Sequence, residues 1–299
     1  MWLYLGVISA LFLGLYDVSR KHALRENAAM PVLFLSSVCA ALIVIPVLVL
    51  SRVAGGAMIK VGLYVPPASL TAHLHLLNKA VIVSASWAFA YCAMKHLPIS
   101  IVSPVGAAGP VWTLIGAIIL FHEHLTVMQY LGVGLMVVSY YWLSSVSSRE
   151  GIRFYSNRWI LFALLATVLG AASGLYDKYL IQQLGYSPLV VQAWFLIYLV
   201  PVLGPGMLLW LRVRRNDSPL VWRWSIVMIA VLLIAADVLY FRAISYSGSL
   251  ISILSAVRAS CVIVSFFVGG VLFRELRLKS KAMAVGGIVA ATCLMFYPA

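Results

Sequence analysis

Apolar residues in this chain come in long, nearly unbroken runs separated by short polar stretches, without the alternation of a half-buried strand. A hydrocarbon core of about 30 Å is crossed by roughly 20 helical residues. Ten runs meet that requirement: 2–23, 30–50, 76–96, 98–121, 126–146, 159–182, 188–210, 224–246, 249–273 and 282–297. They predict an all-α integral membrane protein with ten transmembrane helices. No connection is longer than 51–75, so no soluble domain is expected and the function must sit in the membrane.

The pattern is written twice. The stretch from Pro98 to Ser139 returns, much altered, as Leu250 to Thr292. A slide of 152 residues puts Ser100 on Ser252, Ser103 on Ser255, Phe121 on Phe273 and Glu123 on Glu275. Upstream, Gly14-Leu15-Tyr16-Asp17 recurs as Gly174-Leu175-Tyr176-Asp177. The expected units are 1–147 and 148–299, five helices each. An odd number per unit makes the copies cross in opposite senses, as inverted repeats related by an axis in the membrane plane.

Composition agrees. Of 299 residues, 64% are hydrophobic and 10% charged, and the mean hydropathy is +1.04; a soluble domain could not cover itself with so few charges. Cys39, Cys92, Cys261 and Cys293 stand apart within apolar runs, so packing rather than disulfides or a metal cluster is expected. Met1 runs straight into Trp2-Leu3-Tyr4-Leu5 without a basic start, so no cleavable leader is expected.

The net charge of +13 would suggest nucleic acid in a soluble protein, but here it gathers at the ends of apolar runs and points to topology and lipid headgroups instead. The odd-numbered connections hold Arg20, Lys21, Arg25, Lys95, Arg149, Arg153, Arg158, Arg212, Arg214, Arg215, Arg223, Arg274, Arg277, Lys279 and Lys281; the even-numbered ones hold Arg52, Lys60, Lys79 and Lys178. The positive-inside rule then places odd connections in the cytoplasm and the termini outside.

Pro31 and Pro188 fall at expected first helical positions, while Pro46, Pro201 and Pro205 read either as kinks or as terminators. Glycines in pairs or near-pairs, Gly132 with Gly134, Gly269 with Gly270 and Gly286 with Gly287, suit close helix packing.

Several short motifs recur in fixed order: Ala93-Met94-Lys95-His96 ending the third helix, Leu120-Phe121-His122-Glu123-His124-Leu125 ending the fourth, then Phe241-Arg242-Ala243-Ile244-Ser245-Tyr246 and Leu272-Phe273-Arg274-Glu275-Leu276 in the second half. With the Gly-centred first helix of each half, they resemble the drug/metabolite transporter superfamily, in its EamA-like ten-helix branch. That resemblance implies a multi-pass carrier of small metabolites in the inner (cytoplasmic) membrane, commonly an exporter, working by alternating access without nucleotide hydrolysis. It also implies cytoplasmic termini, against the charge count.

Ionisable groups deep in a membrane default to functional candidates. Asp237 and Arg258 stand out. By helical rise they lie about 20 Å and about 14 Å from the starts of antiparallel neighbouring helices, so their depths differ by only about 4 Å and they are expected to meet near the midplane. They read either as a structural pair or as a binding pair, in which Arg258 takes a carboxylate or phosphate and Asp237 an amine or a proton. Asp17 is expected to pair locally with Arg20 or Lys21, and Asp177 needs a partner on another helix, since Lys178 does not face it. Trp87, Tyr91, Trp112, Trp194 and Tyr240 are candidate cavity aromatics, suited to an amphipathic or cationic molecule, with lipid-facing or packing roles as the alternative. Glu123 and Glu275 read as structural markers at the interface. The spacings His73-x-His75 and His122-x-His124 put imidazoles on diverging faces, so no metal site is expected.

The reading is a secondary transporter of small organic molecules, not an enzyme, with the lipid bilayer and a small-molecule substrate as partners, no nucleic acid and no cofactor. No Walker motif is present, which leaves an ion gradient or exchange, with proton coupling through Asp237 as an option. The alternative is an integral-membrane enzyme acting on a lipid or isoprenoid substrate, which would need clustered catalytic groups. A channel would need a ring of charges.

Overall fold

Each of the ten apolar runs contains a helix in the computed structural model, which describes residues 1–25, 27–96, 105, 109–147, 158–213, 220–264, 267–268 and 278–296. In chain order these are α1 (Trp2–Leu24), α2 (Ala29–Val53), the short surface helix α3 (Gly55–Val61), α4 (Leu70–His96), α5 (Gly109–Phe121), α6 (Val127–Ser147), α7 (Arg158–Lys178), α8 (Pro188–Val213), α9 (Trp224–Ile244), α10 (Ile251–Ala259) and α11 (Leu278–Met295). Every described element is helical, and six helices (α1, α2, α4, α7 with its extension, α8 and α9) are long and apolar enough to cross a membrane. Shorter apolar helices occupy the fourth, fifth, ninth and tenth runs.

Exposed apolar side chains cover the outside, among them Leu42, Leu74, Ile119 and Leu208. They fit a lipid-facing surface, where an apolar patch that would be a liability in water is at home.

The helices pair across the middle of the chain. α1 packs on α9, α4 on α7, α2 on α8, α5 on α10 and α6 on α11. Side-chain bonds give the directions. Ser9 Oγ donates to the Ala236 carbonyl at 2.8 Å and His22 meets Ser225 at 3.1 Å, so α1 and α9 run antiparallel. Ser86 Oγ donates to the Ala166 carbonyl at 2.8 Å while Lys79 bonds Asp177, so α4 and α7 do the same.

Two glycines let backbones come close. A Cβ on Gly14 would meet the Cys261 carbonyl oxygen at 2.7 Å and collide with Val264; one on Gly132 would lie 2.8 Å from Met295 and 3.0 Å from the Ala291 carbonyl. Where lipid removes the hydrophobic drive between helices, such contacts supply the packing.

Three local expectations shift. Pro31 is the third residue of α2, whereas Pro188 opens α8. Pro46, Pro201 and Pro205 lie inside helices that continue to Val53 and Val213, so they are not terminators. α4 begins at Leu70, which takes His73 and His75 out of the connection and onto a helix. After Lys178 the ladder widens into a π turn, Tyr179–Gln183, closed by the Leu184 amide donating to the Tyr179 carbonyl at 3.0 Å. Such turns often mark functional segments.

Candidate functional site

The crossing helices leave a cavity of about 500 Å³ between them, with walls from both halves of the sequence. α1 supplies Leu13, Tyr16 and Arg20; α4 supplies positions from Lys79 to Ala90; α7 from Ala163 to Asp177; α9 from Leu233 to Phe241; α10 supplies Ser255, Arg258 and Ala259. The volume lies within the range of small-molecule pockets.

Among the described residues, three ion pairs hold the charged side chains of the wall. Arg258 donates to Asp237 Oδ1 at 2.8 Å, joining α10 to α9 as the depth arithmetic expects. The guanidinium lies 3.9 Å over the Tyr240 ring, and its Nε has no hydrogen-bond partner among the described residues. This pair keeps some access to the cavity, at 18% and 11% side-chain exposure. A partnerless buried donor is costly unless a ligand or water completes it.

The second pair is Lys79 with Asp177. Asp177 thus finds the partner on another helix that the sequence requires. Lys79 was read from the sequence as a connection charge, but it is 2% exposed and wedged between Phe195 and Phe241, whose ring centroids lie 4.5 and 4.7 Å from Nζ. A cation flanked by two aromatic faces and a carboxylate is compensated from every side.

The third pair, Arg20 with Asp17, spans one turn of α1 at 2.9 Å. Arg20 faces the cavity and lies 5.4 Å and 5.5 Å from the rings of Tyr16 and Tyr91. Asp17 itself is not on the wall; the Cys261 thiol approaches it at 3.8 Å.

Of the aromatics, Trp87 and Tyr240 face the cavity. Tyr91 is buried behind Arg20. Trp194 packs edge-on against His73 at 4.4 Å and beside Tyr198 at 5.8 Å, away from the wall. Trp112 is 41% exposed on the outside of α5. His73 and His75 are spent on tyrosines, Tyr198 at 2.9 Å and Tyr186 at 3.0 Å. Among the described residues no group of three or more His, Cys, Asp or Glu is placed to hold a metal ion.

Glu123 departs most from its sequence reading. It is 5% exposed rather than interfacial. Lys178 donates to its Oε1 at 2.6 Å, the Ile251 amide to Oε1 at 2.7 Å, and the Ser252 amide to Oε2 at 3.2 Å, with the Ser252 hydroxyl also bonded to Oε2. Glu123 therefore caps the start of α10, where a carboxylate satisfies orphan amides and the helix dipole. Glu275, its mate in the repeat, lies outside the described residues.

Comparison with known proteins agrees with this architecture. No curated protein matches the chain. Twenty-eight chains of solved structures match it in fold. One crystal structure superposes with a TM-score of 0.68 over 99% of this chain and 95% of its own, at 14% identity; at that identity the likeness speaks for the fold alone. Residues 1–145 match the sequence model of the EamA-like transporter family, and the first half of this membrane protein is a domain of that family.

Proposed function

We propose that this chain is a secondary transporter that moves a small organic metabolite, in the export direction, across the cytoplasmic membrane by alternating access. The observation that carries the proposal is the cavity of about 500 Å³ enclosed by helices of both halves and furnished with ion pairs and aromatic faces. A charged group deep in a membrane is expensive, and such groups collect on substrate and ion pathways. Among the ion pairs of the described residues, only Asp237–Arg258 combines some exposure to the cavity with a donor that lacks a partner. Arg258 would take a carboxylate or phosphate, and Asp237 an amine or a proton. Trp87 and Tyr240 would take the apolar body of the substrate.

Ten membrane crossings in two inverted units, 1–147 and 148–299, fit the packing pattern. Each pairing has a mate five helices along: the first run packs on the eighth as the sixth packs on the third, while the second, fourth and fifth runs each pack on their own counterparts. A twofold axis in the membrane plane relates such pairs.

Orientation follows from charge once buried cations leave the tally. Arg20, Lys79 and Lys178 are locked in internal ion pairs. Without them the even-numbered connections keep Arg52 and Lys60, with Arg242 exposed at the same end of α9, against fourteen Lys and Arg in the odd-numbered ones. The odd-numbered connections then face the cytoplasm.

The test is flux through purified protein in liposomes loaded with a defined mixture of amino acids, aromatic carboxylates and aromatic amines, read by mass spectrometry with and without a pH gradient. Efflux above that of protein-free liposomes loaded alike, for at least one component, is the expected result. Rates equal to the protein-free control for every component would contradict the assignment to these chemistries. Covalent alteration of a component would favour an enzyme.

A further inference from the structure

The cavity ends abruptly on one side. Its wall positions stop at Lys79 on α4, Asp177 on α7 and Phe241 on α9. Beyond them lies the end of the bundle formed by the connections 53–70, 121–127, 183–188 and 244–251, here called the even end. Lys178, one residue past Asp177, no longer faces the cavity and reaches instead to Glu123.

Glu123 stands on the connection after α5, in the first half of the sequence. Among the described residues, all four donors to its carboxylate, Lys178 Nζ, the Ile251 and Ser252 amides and the Ser252 hydroxyl, belong to the second half. Lys178 also donates to the Ser249 carbonyl at 3.2 Å, and Gln182, in the π turn, ties to Ser249 Oγ at 2.9 Å and the Ile244 carbonyl at 2.7 Å. One carboxylate thus stitches the two halves together directly behind the cavity floor.

The chain is bent to put it there. His122 has φ +51°, the one non-glycine residue with positive φ among those described. A residue held in that region costs energy and persists where its surroundings over-determine it, a condition common at switch segments. The turn points Glu123 inward while His122 and His124 stay exposed.

We propose that Glu123, with Lys178 and Ser252, is a latch that seals the even end of the transport cavity and must release for the cavity to open there. The proposal rests on the alternating-access reading. Its logic is that of a bistable contact: hydrogen bonds to a charged group, dry and cooperative when closed, are replaced by water when the halves part. Glu123 is a positioning residue in this scheme and touches no substrate.

The test needs no substrate. In a background with Cys39, Cys92, Cys261 and Cys293 replaced by alanine, Ser173→Cys places one thiol on the cavity wall, a turn above Asp177. Proteoliposomes sorted by orientation are treated with a membrane-impermeant maleimide from either side. Alternating access predicts labelling from both sides. Glu123→Cys and Ser252→Cys are then added and oxidised with copper phenanthroline, which bridges neighbouring thiols and leaves the lone Ser173→Cys reporter free. This should abolish even-end labelling in the bridged fraction and leave odd-end labelling intact; reduction should restore it. Glu123→Gln should raise the even-end labelling rate by about tenfold, the factor that one net charge-assisted hydrogen bond supplies, with odd-end labelling as its control for folding. Unchanged even-end labelling after cross-linking overturns the latch while leaving transport standing. Labelling from one side only in the uncross-linked protein overturns both.

Discussion

Lys79→Met is the sharpest test of how the buried charges are compensated. Methionine keeps most of the length and apolar contact of the lysine stem but removes the cation. Asp177, whose side chain is 6% exposed, would then face Phe195 and Phe241 without its partner. Breaking a buried pair from one side typically costs about 3–5 kcal/mol, because the remaining charge stays desolvated. At about 2 °C per kcal/mol, the low end of the scale for domains of 150–250 residues, this is a fall of roughly 6–10 °C in melting temperature. Removing both charges, as Lys79→Met with Asp177→Leu, leaves a packed apolar site, and such replacements are often neutral or stabilising. The assay is thermal unfolding of the detergent-purified protein, followed by intrinsic fluorescence and by size-exclusion of heated samples. The single variant should fall and the double variant recover. A single variant that melts with the parent would refute the claim that Lys79 compensates Asp177. A double variant as unstable as the single one would show that volume rather than charge decides the site.

Gly14→Val should destabilise by about 1–3 kcal/mol through overpacking against Cys261 and Val264, read as a lower melting temperature in the same assay; an unchanged value would mean that α1 shifts freely. Trp87→Ala should lower flux, since Trp87 lines the cavity, whereas Trp112→Ala should leave it near the parent rate, since Trp112 faces outward; the reverse order in the liposome assay would misplace the wall. Single cysteines at Ser69 and Ser187 should react with an impermeant maleimide from one side and one at Leu220 from the other, because the proposed ten crossings put even and odd connections on opposite faces. Labelling of all three from one side would overturn the helix count.

Much of this was legible in the sequence. Run length locates every described helix except the short surface helix α3, because a bilayer imposes one scale on the helices that cross it. The meeting of Asp237 and Arg258 follows from the 1.5 Å rise of antiparallel neighbours joined by a short turn. What hid was any contact between the two halves. Lys79 sits nine residues into α4, but the apolar run starts near it, at 76, so the residue reads as a border charge. Its partner is 98 positions away, and no local spacing announces that. Glu123 was misplaced for the related reason that a charged residue after an apolar run resembles an interface marker. The left-handed turn at His122 folds it back into the protein, and histidine there gives no warning of the kind glycine would. Arg20 was visible as a partner for Asp17, yet its place on the cavity wall depends on where α1 crosses α9. Trp112 and Trp194 show the converse: aromatic type and depth are compatible with a cavity, but the face of the helix is decided by packing.

The central claim is that Asp237 and Arg258 handle the transported molecule rather than merely pin α9 to α10. The most direct measurement compares flux of whichever mixture component the parent moves, in liposomes, for Asp237→Asn, Arg258→Ala and the apolar double variant Asp237→Leu with Arg258→Met. All three should reach the membrane, the double variant should melt close to the parent because no charge is left unpaired, and all three should lose transport. A stable double variant that still transports at the parent rate would contradict the account.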